Sequence, residues 1–195
     1  MSGEVNQLES RGPQLVEIED RELVSRVLAG RTDDFRVLVE RHQVSVFRFA
    51  SALLGNREEA EDATQEAFLG AFANLSSYDS SRAVFSTWLF AIARNRCINL
   101  LKRNRPIALN EPDSVIDVTS ADPIVSQELS QQLDRALAAL PVEQRSAFIL
   151  AEIEQLPYAE IAQIERTSLG TVKSRINRAK QRLQSLLEPI MRESK

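Results

Sequence analysis

A break in helical pattern at residues 104–123 divides this 195-residue chain into two parts. The break contains three prolines among small polar and acidic residues, which is the composition of a linker. On both sides of it, apolar residues recur at the three- and four-residue spacing of a buried helix face. No strand alternation is visible. The sequence therefore predicts an all-α protein with two helical domains, residues 19–103 and 124–192, joined by a flexible acidic linker.

Turn and capping residues place the helices within the two domains. Residues 1–18 have no periodicity and are predicted to form a loose N-terminal tail. The first domain is predicted to contain four helices: 21–29 capped by Asp20, a second capped by Thr32 and ended by Gly55-Asn56, 57–75, and 84–103. The second is predicted to contain helices at 124–140, 141–155, opened by Pro141, and 157–164, opened by Pro157, then a turn at 165–168 and a long final helix capped by Ser168.

Composition excludes several classes of protein. One cysteine, Cys97, and one histidine, His42, exclude an internal disulfide and make a His/Cys zinc site nearly impossible. No segment approaches the roughly 20 apolar residues of a membrane span, and the first 20 residues show no secretory pattern. No glycine-rich phosphate loop or nucleophile motif is present. We therefore expect a cytoplasmic protein that is not an enzyme, with no catalytic residue, metal or other cofactor.

The charges are unevenly distributed although the net charge is only −4. Residues 82–105 carry six basic side chains and no acid, and residues 166–182 carry another six with no acid. Solvated helix faces would account for one such run. Two acid-free blocks in an acidic chain instead favour two separate contacts with a nucleic acid.

The second basic block belongs to a predicted helix-turn-helix at 157–179. Its second helix places Val172, Ile176, Ala179 and Leu183 on one buried stripe. Short polar and basic side chains near the start of such a helix suit the major groove of DNA. DNA recognition is favoured over a basic amphipathic surface helix. The predicted contacts on the opposite face and its flanks are Thr171, Lys173, Ser174, Arg175, Asn177 and Arg178.

The fourth helix of the first domain carries the other basic block. Thr87, Arg94, Asn95 and Lys102 fall roughly on one face, and a polar loop at 74–83 precedes the helix. This arrangement suits single-stranded DNA. The basic side chains can bind the DNA backbone, and polar groups and pockets can hold the unstacked bases. For Trp88, packing in the core is the favoured interpretation over base stacking. For Asn95, a solvated amide remains an equal alternative.

Acidic and amide side chains share one face of the third helix. Gln65 and Glu66 follow Asp62 by three and four residues, so the three side chains are neighbours. Glu61, Asp62 and Glu66 could be metal ligands, but no histidine joins them and no second acidic helix faces them. A surface that docks another protein is more plausible, and a solvated face is the remaining alternative.

Three runs in this order and spacing resemble the extracytoplasmic-function (ECF) sigma factors of the sigma-70 family, group 4. The runs are Asp-Ala-Thr-Gln-Glu-Ala-Phe at 62–68, Phe-Ser-Thr-Trp-Leu-Phe-Ala-Ile-Ala-Arg-Asn at 85–95 and Gly-Thr-Val-Lys-Ser-Arg-Ile-Asn-Arg-Ala at 170–179. The resemblance covers about residues 20–103 and 124–188. It implies that the two domains are like sigma domains two and four.

The resemblance also implies partners and site residues. Asp62, Gln65 and Glu66 match the surface that docks on the coiled coil of the polymerase beta-prime subunit, and the beta subunit is a further implied contact. The helix that reads the minus-thirty-five promoter element is matched by Lys173, Ser174, Arg175, Asn177 and Arg178, and Thr171 is assigned to the same site. The resemblance implies that a flipped minus-ten base is captured in the loop at 74–83. The implied minus-ten contacts are Ser80, Arg82, Thr87, Trp88, Arg94, Asn95 and Lys102.

Family members are usually held inactive by an anti-sigma factor, so such a partner is implied as well. The linker would run through the polymerase toward the RNA exit path. One departure from the family pattern is Arg166, which stands in the turn where family members often have glycine. Arginine adopts the left-handed conformation of such a turn only at an energetic cost.

Two other functions compete with a promoter-specificity subunit. A helix-turn-helix repressor or activator with a sensor bundle explains the second basic block, but not the acid-free fourth helix or the acidic third helix. A helical enzyme that uses Glu61, Asp62 and Glu66 with a metal lacks any motif for binding or activating a substrate.

Overall fold

The computed structural model describes residues 18–103 and 123–193, and within them it contains only helices, turns and loops. The predicted all-α fold is confirmed. The predicted N-terminal tail, apart from residue 18, and the predicted linker, apart from residue 123, lie outside the described residues. The α-helices are α1 (Asp20–Leu28), α2 (Phe35–Leu54), α3 (Arg57–Ala73), α4 (Phe85–Arg103), α5 (Pro123–Ala138), α6 (Val142–Phe148), α7 (Tyr158–Ile164) and α8 (Leu169–Glu193).

Two of the predicted helix caps are wrong. Glu19, not Asp20, occupies the N-cap of α1, and Thr32 begins a short 3-10 turn that precedes α2. The Asp20 carboxylate instead accepts a hydrogen bond from Arg41 at 2.9 Å and lies 2.6 Å from His42 Nε2. Burial alone would raise the pKa of Asp20, but the hydrogen bonds and charges of these partners outweigh it and lower the pKa. Asp20 therefore binds Arg41 and His42 of α2 instead of capping α1.

The segment after Pro141 also differs from the single helix that the sequence predicts. Helix α6 is followed by a π-helical turn, Ile149–Ile153, in which the Glu154 N–H donates to the Ile149 carbonyl oxygen at 3.0 Å. This bond spans five residues instead of four, so the turn holds one residue more than an α-helical turn would. Gln155 follows with a φ of 54° and reverses the chain toward α7.

The core of the first domain lies between α2, α3 and α4. Phe49 and Leu53 of α2 are fully buried, and the Phe49 ring meets Phe90 of α4 edge to face at 5.6 Å. The packed face of α3 is lined by small side chains, which lets the neighbouring helices approach its backbone closely. These are Ala60, Ala63, Ala67 and Ala71, each at most 1% exposed.

The apolar stripe predicted on α8 is buried, and its residues belong to two hydrophobic clusters. Val172 and Ile176 join the cluster that contains α7 and the first domain. Ala179 and Leu183 pack with Leu137 and Leu140, at the end of α5 and just beyond it, in a second, smaller cluster. Helix α8 therefore packs with the α7 cluster through Val172 and Ile176 and with the end of α5 through Ala179 and Leu183.

The two domains pack against each other. Their buried apolar residues form one continuous cluster, from Leu23 of α1 to Ile176 of α8. Helix α7 lies on α4, and the π-helical turn lies on α2. In the described ranges, no helix is long and apolar enough to cross a bilayer. The contact between α4 and the second domain buries two of the predicted site residues, Thr87 and Arg94.

Candidate nucleic-acid and protein interfaces

The first half of α8 presents a polar face to solvent. Lys173, Ser174, Asn177 and Arg178 are exposed, and Thr171 is half-buried. As the sequence predicts, Ser168 caps the helix, because its Oγ accepts a hydrogen bond from the Thr171 N–H at 3.1 Å. The positive end of the helix dipole lies beneath this face and favours anionic groups near it.

The turn before α8 keeps a left-handed residue although arginine stands where family members often have glycine. Arg166 has a φ of 49°, which costs a residue with a Cβ roughly 1–2 kcal/mol. The turn is held by the Thr167 N–H, which donates to the Ala162 carbonyl oxygen at 3.0 Å. This bond closes the end of α7 and directs the chain into α8.

Arg175 differs from the rest of the predicted face because an acid from its own domain engages it. Its Nη1 donates to Glu165 Oε2 at 2.6 Å, and the Glu165 side chain is 0% exposed. Sequence reasoning did not single out Glu165. Its position in the turn gives no signal, because the pairing depends on how the turn folds back against α8.

The loop before α4 is ordered by its own polar groups. Asp79 Oδ1 accepts hydrogen bonds from the Ser81 backbone N–H at 2.9 Å and from its hydroxyl at 2.7 Å. These bonds lower the pKa of the exposed Asp79 carboxyl. Ser80 and Arg82 of the predicted site are both exposed on this loop.

Aromatic rings lie under the same loop. Trp88 is half-buried, with its ring centroid 5.5 Å from that of Tyr78 and 5.8 Å from that of Phe85. Trp88 therefore packs against the core, as the favoured interpretation expects, while the residue stays partly exposed. Sequence reasoning missed Tyr78; an aromatic residue within a polar loop is the signal that could have identified it.

The predicted face of α4 is divided by the second domain. Asn95 and Lys102 are exposed, whereas Thr87 is 2% and Arg94 9% exposed. The Thr87 hydroxyl donates to Glu160 of α7. Arg94 Nε donates to Ser146 Oγ at 3.0 Å and lies 3.4 Å from Glu165 Oε1. The structure therefore brings Arg94 and Arg175 to the same carboxylate.

The predicted docking face of α3 is exposed. Asp62, Gln65 and Glu66 all face solvent, and Glu66 Oε2 lies 3.7 Å from Arg96 Nη1 on α4. Gln65 also borders an apolar groove of about 640 Å³ between α2 and α3, whose lining includes Phe35, Val39, Phe68, Leu69 and Phe72. The groove was missed because it requires two helices to be placed side by side.

Metal binding and cysteine chemistry are the remaining alternatives, and they are considered for the described residues. These residues contain no group of three or more His, Cys, Asp or Glu side chains that could hold a metal ion. Burial raises the pKa of the Cys97 thiol to about 12, so the reactive thiolate is scarce at neutral pH. Core packing is therefore the better account of Cys97 than a redox role.

Comparisons with known families match both domains. The sigma-70 region 2 family matches residues 38–107, and the sigma-70 region 4 family matches residues 130–183. The ECF RNA polymerase sigma factor SigW of Bacillus subtilis is 32% identical over 188 residues, which cover 90% of this chain and all of SigW. The ECF RNA polymerase sigma-E factor of Escherichia coli K12 is 33% identical over 194 residues, covering 90% and 98% of the two chains.

Two solved structures share the arrangement. CnrH, in complex with the cytosolic domain of CnrY, aligns with a TM-score of 0.70 at 25% identity over 87% of this chain and 97% of CnrH. The sigma factor RpoE of Bartonella quintana, in complex with the anti-sigma factor NepR, aligns with a TM-score of 0.67 at 29% identity over 80% of this chain and 97% of RpoE. The chain belongs to the ECF RNA polymerase sigma factors, alternative sigma factors that bind core RNA polymerase and direct it to specific promoters.

Proposed function

We propose that this sigma factor reads its promoters with two surfaces and docks on polymerase with a third. The observation that carries the proposal is the exposed polar face of α8 directly after a capped helix-turn-helix turn. Side chains of this kind at a helix N-terminus reach base edges and phosphates in the major groove. The minus-thirty-five element is therefore assigned to Thr171, Lys173, Ser174, Arg175, Asn177 and Arg178.

The minus-ten element is assigned to α4 and the loop before it. Asn95 and Lys102 are exposed on α4, and Ser80 and Arg82 are exposed on the loop. Trp88 is half-buried beside Tyr78 of this loop, and its ring could stack on an unpaired base. Thr87 and Arg94 complete this surface once the second domain moves off α4.

Polymerase docking is assigned to Asp62, Gln65 and Glu66, with the coiled coil of the beta-prime subunit as the partner. The apolar groove beside Gln65 supports this assignment, because an apolar patch bordered by charged and polar groups is typical of a protein interface. Residues 104–123 would connect the two domains inside the polymerase and reach the beta subunit. The chain performs no catalysis of its own and acts in the cytoplasm.

Control by an anti-sigma factor is proposed from the two structural relatives. CnrH is bound to the cytosolic domain of CnrY, and RpoE of Bartonella quintana is bound to the anti-sigma factor NepR. A partner of this chain would inhibit it by covering the docking face of α3 or the DNA-reading faces of α4 and α8.

Transcription in vitro tests the proposed function. Bacterial core polymerase is combined with this protein on a sheared library of its host's DNA, and the 5′ ends of the transcripts are mapped. We expect new transcripts that depend on the protein and whose start sites share two spaced upstream elements. No such transcripts, together with tight duplex binding in the absence of polymerase, would instead favour the repressor or activator interpretation.

The docking assignment predicts a selective loss of polymerase binding. We expect the double substitution Asp62→Ala and Glu66→Ala to weaken binding to core polymerase by about tenfold or more. Truncation of an interface residue that contributes to binding costs more than about 1 kcal/mol of binding free energy. Both side chains are exposed, so the thermal unfolding midpoint should stay within about 2 °C of the parent.

A matched control removes two negative charges from a surface outside the proposed docking face. Glu143→Ala with Glu152→Ala replaces two exposed acids of the second domain and should leave polymerase binding at the parental value. Binding is measured by fluorescence anisotropy of labelled protein titrated with core polymerase. Equal losses in the two double variants would indicate a general charge effect and contradict the docking assignment.

A further inference from the structure

The turn between α7 and α8 holds two charged residues in opposite environments. The Glu165 side chain is 0% exposed, and its Oε2 accepts a hydrogen bond from Arg175 at 2.6 Å. The next residue, Arg166, is exposed. Within the described ranges, no hydrogen bond or ion pair joins the Arg166 side chain to another residue. The adjacent acid therefore balances the charge of Arg175 and leaves that of Arg166 available to a ligand.

Ion pairs reduce the number of free cations in the second basic block, residues 166–182. Arg175 pairs with Glu165, and Lys180 Nζ lies 2.8 Å from Glu152 Oε1. In the part of the chain that the structure describes, the basic side chains of this block without such a pair are Arg166, Lys173, Arg178 and Arg182. Lys173 and Arg178 are already assigned to the minus-thirty-five element. Arg166 and Arg182 are therefore the free cations that have no assigned role.

The positions of these two arginines relative to the start of α8 differ. Arg182 follows Leu169, the first residue of the helix, by thirteen positions, which at about 1.5 Å per residue is about 20 Å. The major groove is only about 12 Å wide, and the N-terminal end of such a helix enters it. Arg166 precedes the capping residue Ser168 by two positions, so their Cα atoms are within about 8 Å of each other. Arg166 therefore lies at the end of α8 that approaches DNA.

The turn also lies where the motif meets the DNA backbone. In a helix-turn-helix the first helix crosses the backbone and the second enters the groove, so the turn between them lies at the edge of the groove. Two hydrogen bonds hold the turn, from the Thr167 N–H to the Ala162 carbonyl oxygen at 3.0 Å and from the Arg166 N–H to the Gln163 carbonyl oxygen at 3.2 Å. A guanidinium group at this edge can donate two hydrogen bonds to one phosphate.

We propose that Arg166 is a further DNA contact of the helix-turn-helix and binds a backbone phosphate at the edge of the minus-thirty-five element. This inference rests on the proposed function, since it takes the polar face of α8 to lie in the major groove. A phosphate contact carries no information about the bases. Arg166 therefore strengthens binding to every upstream element by the same factor, while the residues assigned on α8 distinguish between the elements.

Three substitutions separate the charge of Arg166 from its backbone conformation. Arg166→Gln removes the charge and keeps a Cβ at a φ of 49°, Arg166→Gly removes both, and Arg166→Lys keeps the charge. We expect the first two to weaken DNA binding alike and the lysine variant to stay close to the parent. The glycine variant should also raise the thermal unfolding midpoint by about 2–4 °C, because glycine adopts this conformation without strain. An arginine that served only to stabilise the turn would give the opposite shift.

DNA binding is measured on the holoenzyme. Core polymerase saturated with each variant is titrated onto a labelled promoter fragment mapped in the transcription assay, and anisotropy is recorded between 50 and 200 mM salt. Loss of one phosphate contact should reduce the slope of log K against log salt concentration by about 0.9. If the variants bind equally at 1 M salt, Arg166→Gln should lose about fourfold in affinity at 200 mM and about 15-fold at 50 mM.

A control substitution and a second set of fragments complete the test. Arg182→Gln removes the same charge from an exposed position of the same helix and should leave both the affinity and the slope at the parental values. The second set of fragments carries single base-pair changes in the upstream element. On each of these, Arg166→Gln should lose the same factor relative to the parent, as expected for a contact to the backbone.

Each contrary outcome has a definite meaning. Parental affinity and slope in Arg166→Gln overturn the phosphate contact. An equal loss in Arg182→Gln also overturns it, by indicating a general charge effect, and a loss that varies with the base pair indicates a base contact instead. In these cases protein-dependent binding by the parent leaves the proposed function standing. If the parent adds nothing to the binding of any fragment by core polymerase, the proposed function fails, and this inference fails with it.

Discussion

The double substitution Asn177→Ala and Arg178→Ala is expected to reduce promoter-specific transcription by at least about 30-fold. Each contact to a base edge contributes about 1–3 kcal/mol, and the two losses together correspond to at least about 2 kcal/mol. Both residues are exposed in the first half of α8, so the substitution should not disturb the packed stripe formed by Val172, Ile176, Ala179 and Leu183.

The control for this variant lies further along the same helix. Gln181→Ala with Arg182→Ala removes one polar and one basic side chain, both exposed, from positions outside the assigned reading face. Run-off transcription with core polymerase is compared on the native promoter and on one with a scrambled upstream element. A loss of similar size in the control, or a loss that persists on the scrambled template, would show that α8 does not read the upstream element through Asn177 and Arg178.

The second large effect is expected in the core of the first domain. Phe49→Ala should lower the free energy of unfolding by about 3–5 kcal/mol, because it removes a fully buried ring and leaves a cavity. The edge-to-face contact with Phe90 is lost as well. For a chain of this size, the corresponding decrease in the melting temperature is about 6–20 °C.

An exposed phenylalanine gives the comparison. Phe72→Ala removes the same ring from a side chain that is 44% exposed on the wall of the apolar groove, and we expect less than half of the Phe49 loss. Urea unfolding followed by circular dichroism gives both values. Equal losses would mean that the core of this domain is not centred on α2 as the structure has it.

Several features of the fold could be predicted from local patterns in the sequence. The spacing of Val172, Ile176, Ala179 and Leu183 predicted the buried side of α8, and Ser168 predicted its start. The helical period of the stripe and the cap by Ser168 are both set within a few residues of the side chain, which is the range over which a sequence pattern is informative.

The division of the α4 face could not be predicted in the same way. Thr87 meets Glu160 across 73 positions of the chain, and Arg94 meets Ser146 across 52. No periodicity within α4 distinguishes a basic residue that faces DNA from one that faces another domain. Asp20 was misjudged for the same reason, since Arg41 and His42 lie more than 20 residues away and outcompete the backbone of α1.

The π-helical turn at Ile149–Ile153 has a consequence for how related chains diverge. Glu154 follows directly after the additional residue of this turn, and it is the side chain that meets Arg48 of the other domain. Successive residues of a helix are rotated by about 100°, so deletion of one residue here would turn Glu154 away from α2. A single-codon deletion or insertion at this turn could therefore change the mutual orientation of the two domains in one evolutionary step, without a substitution in either one.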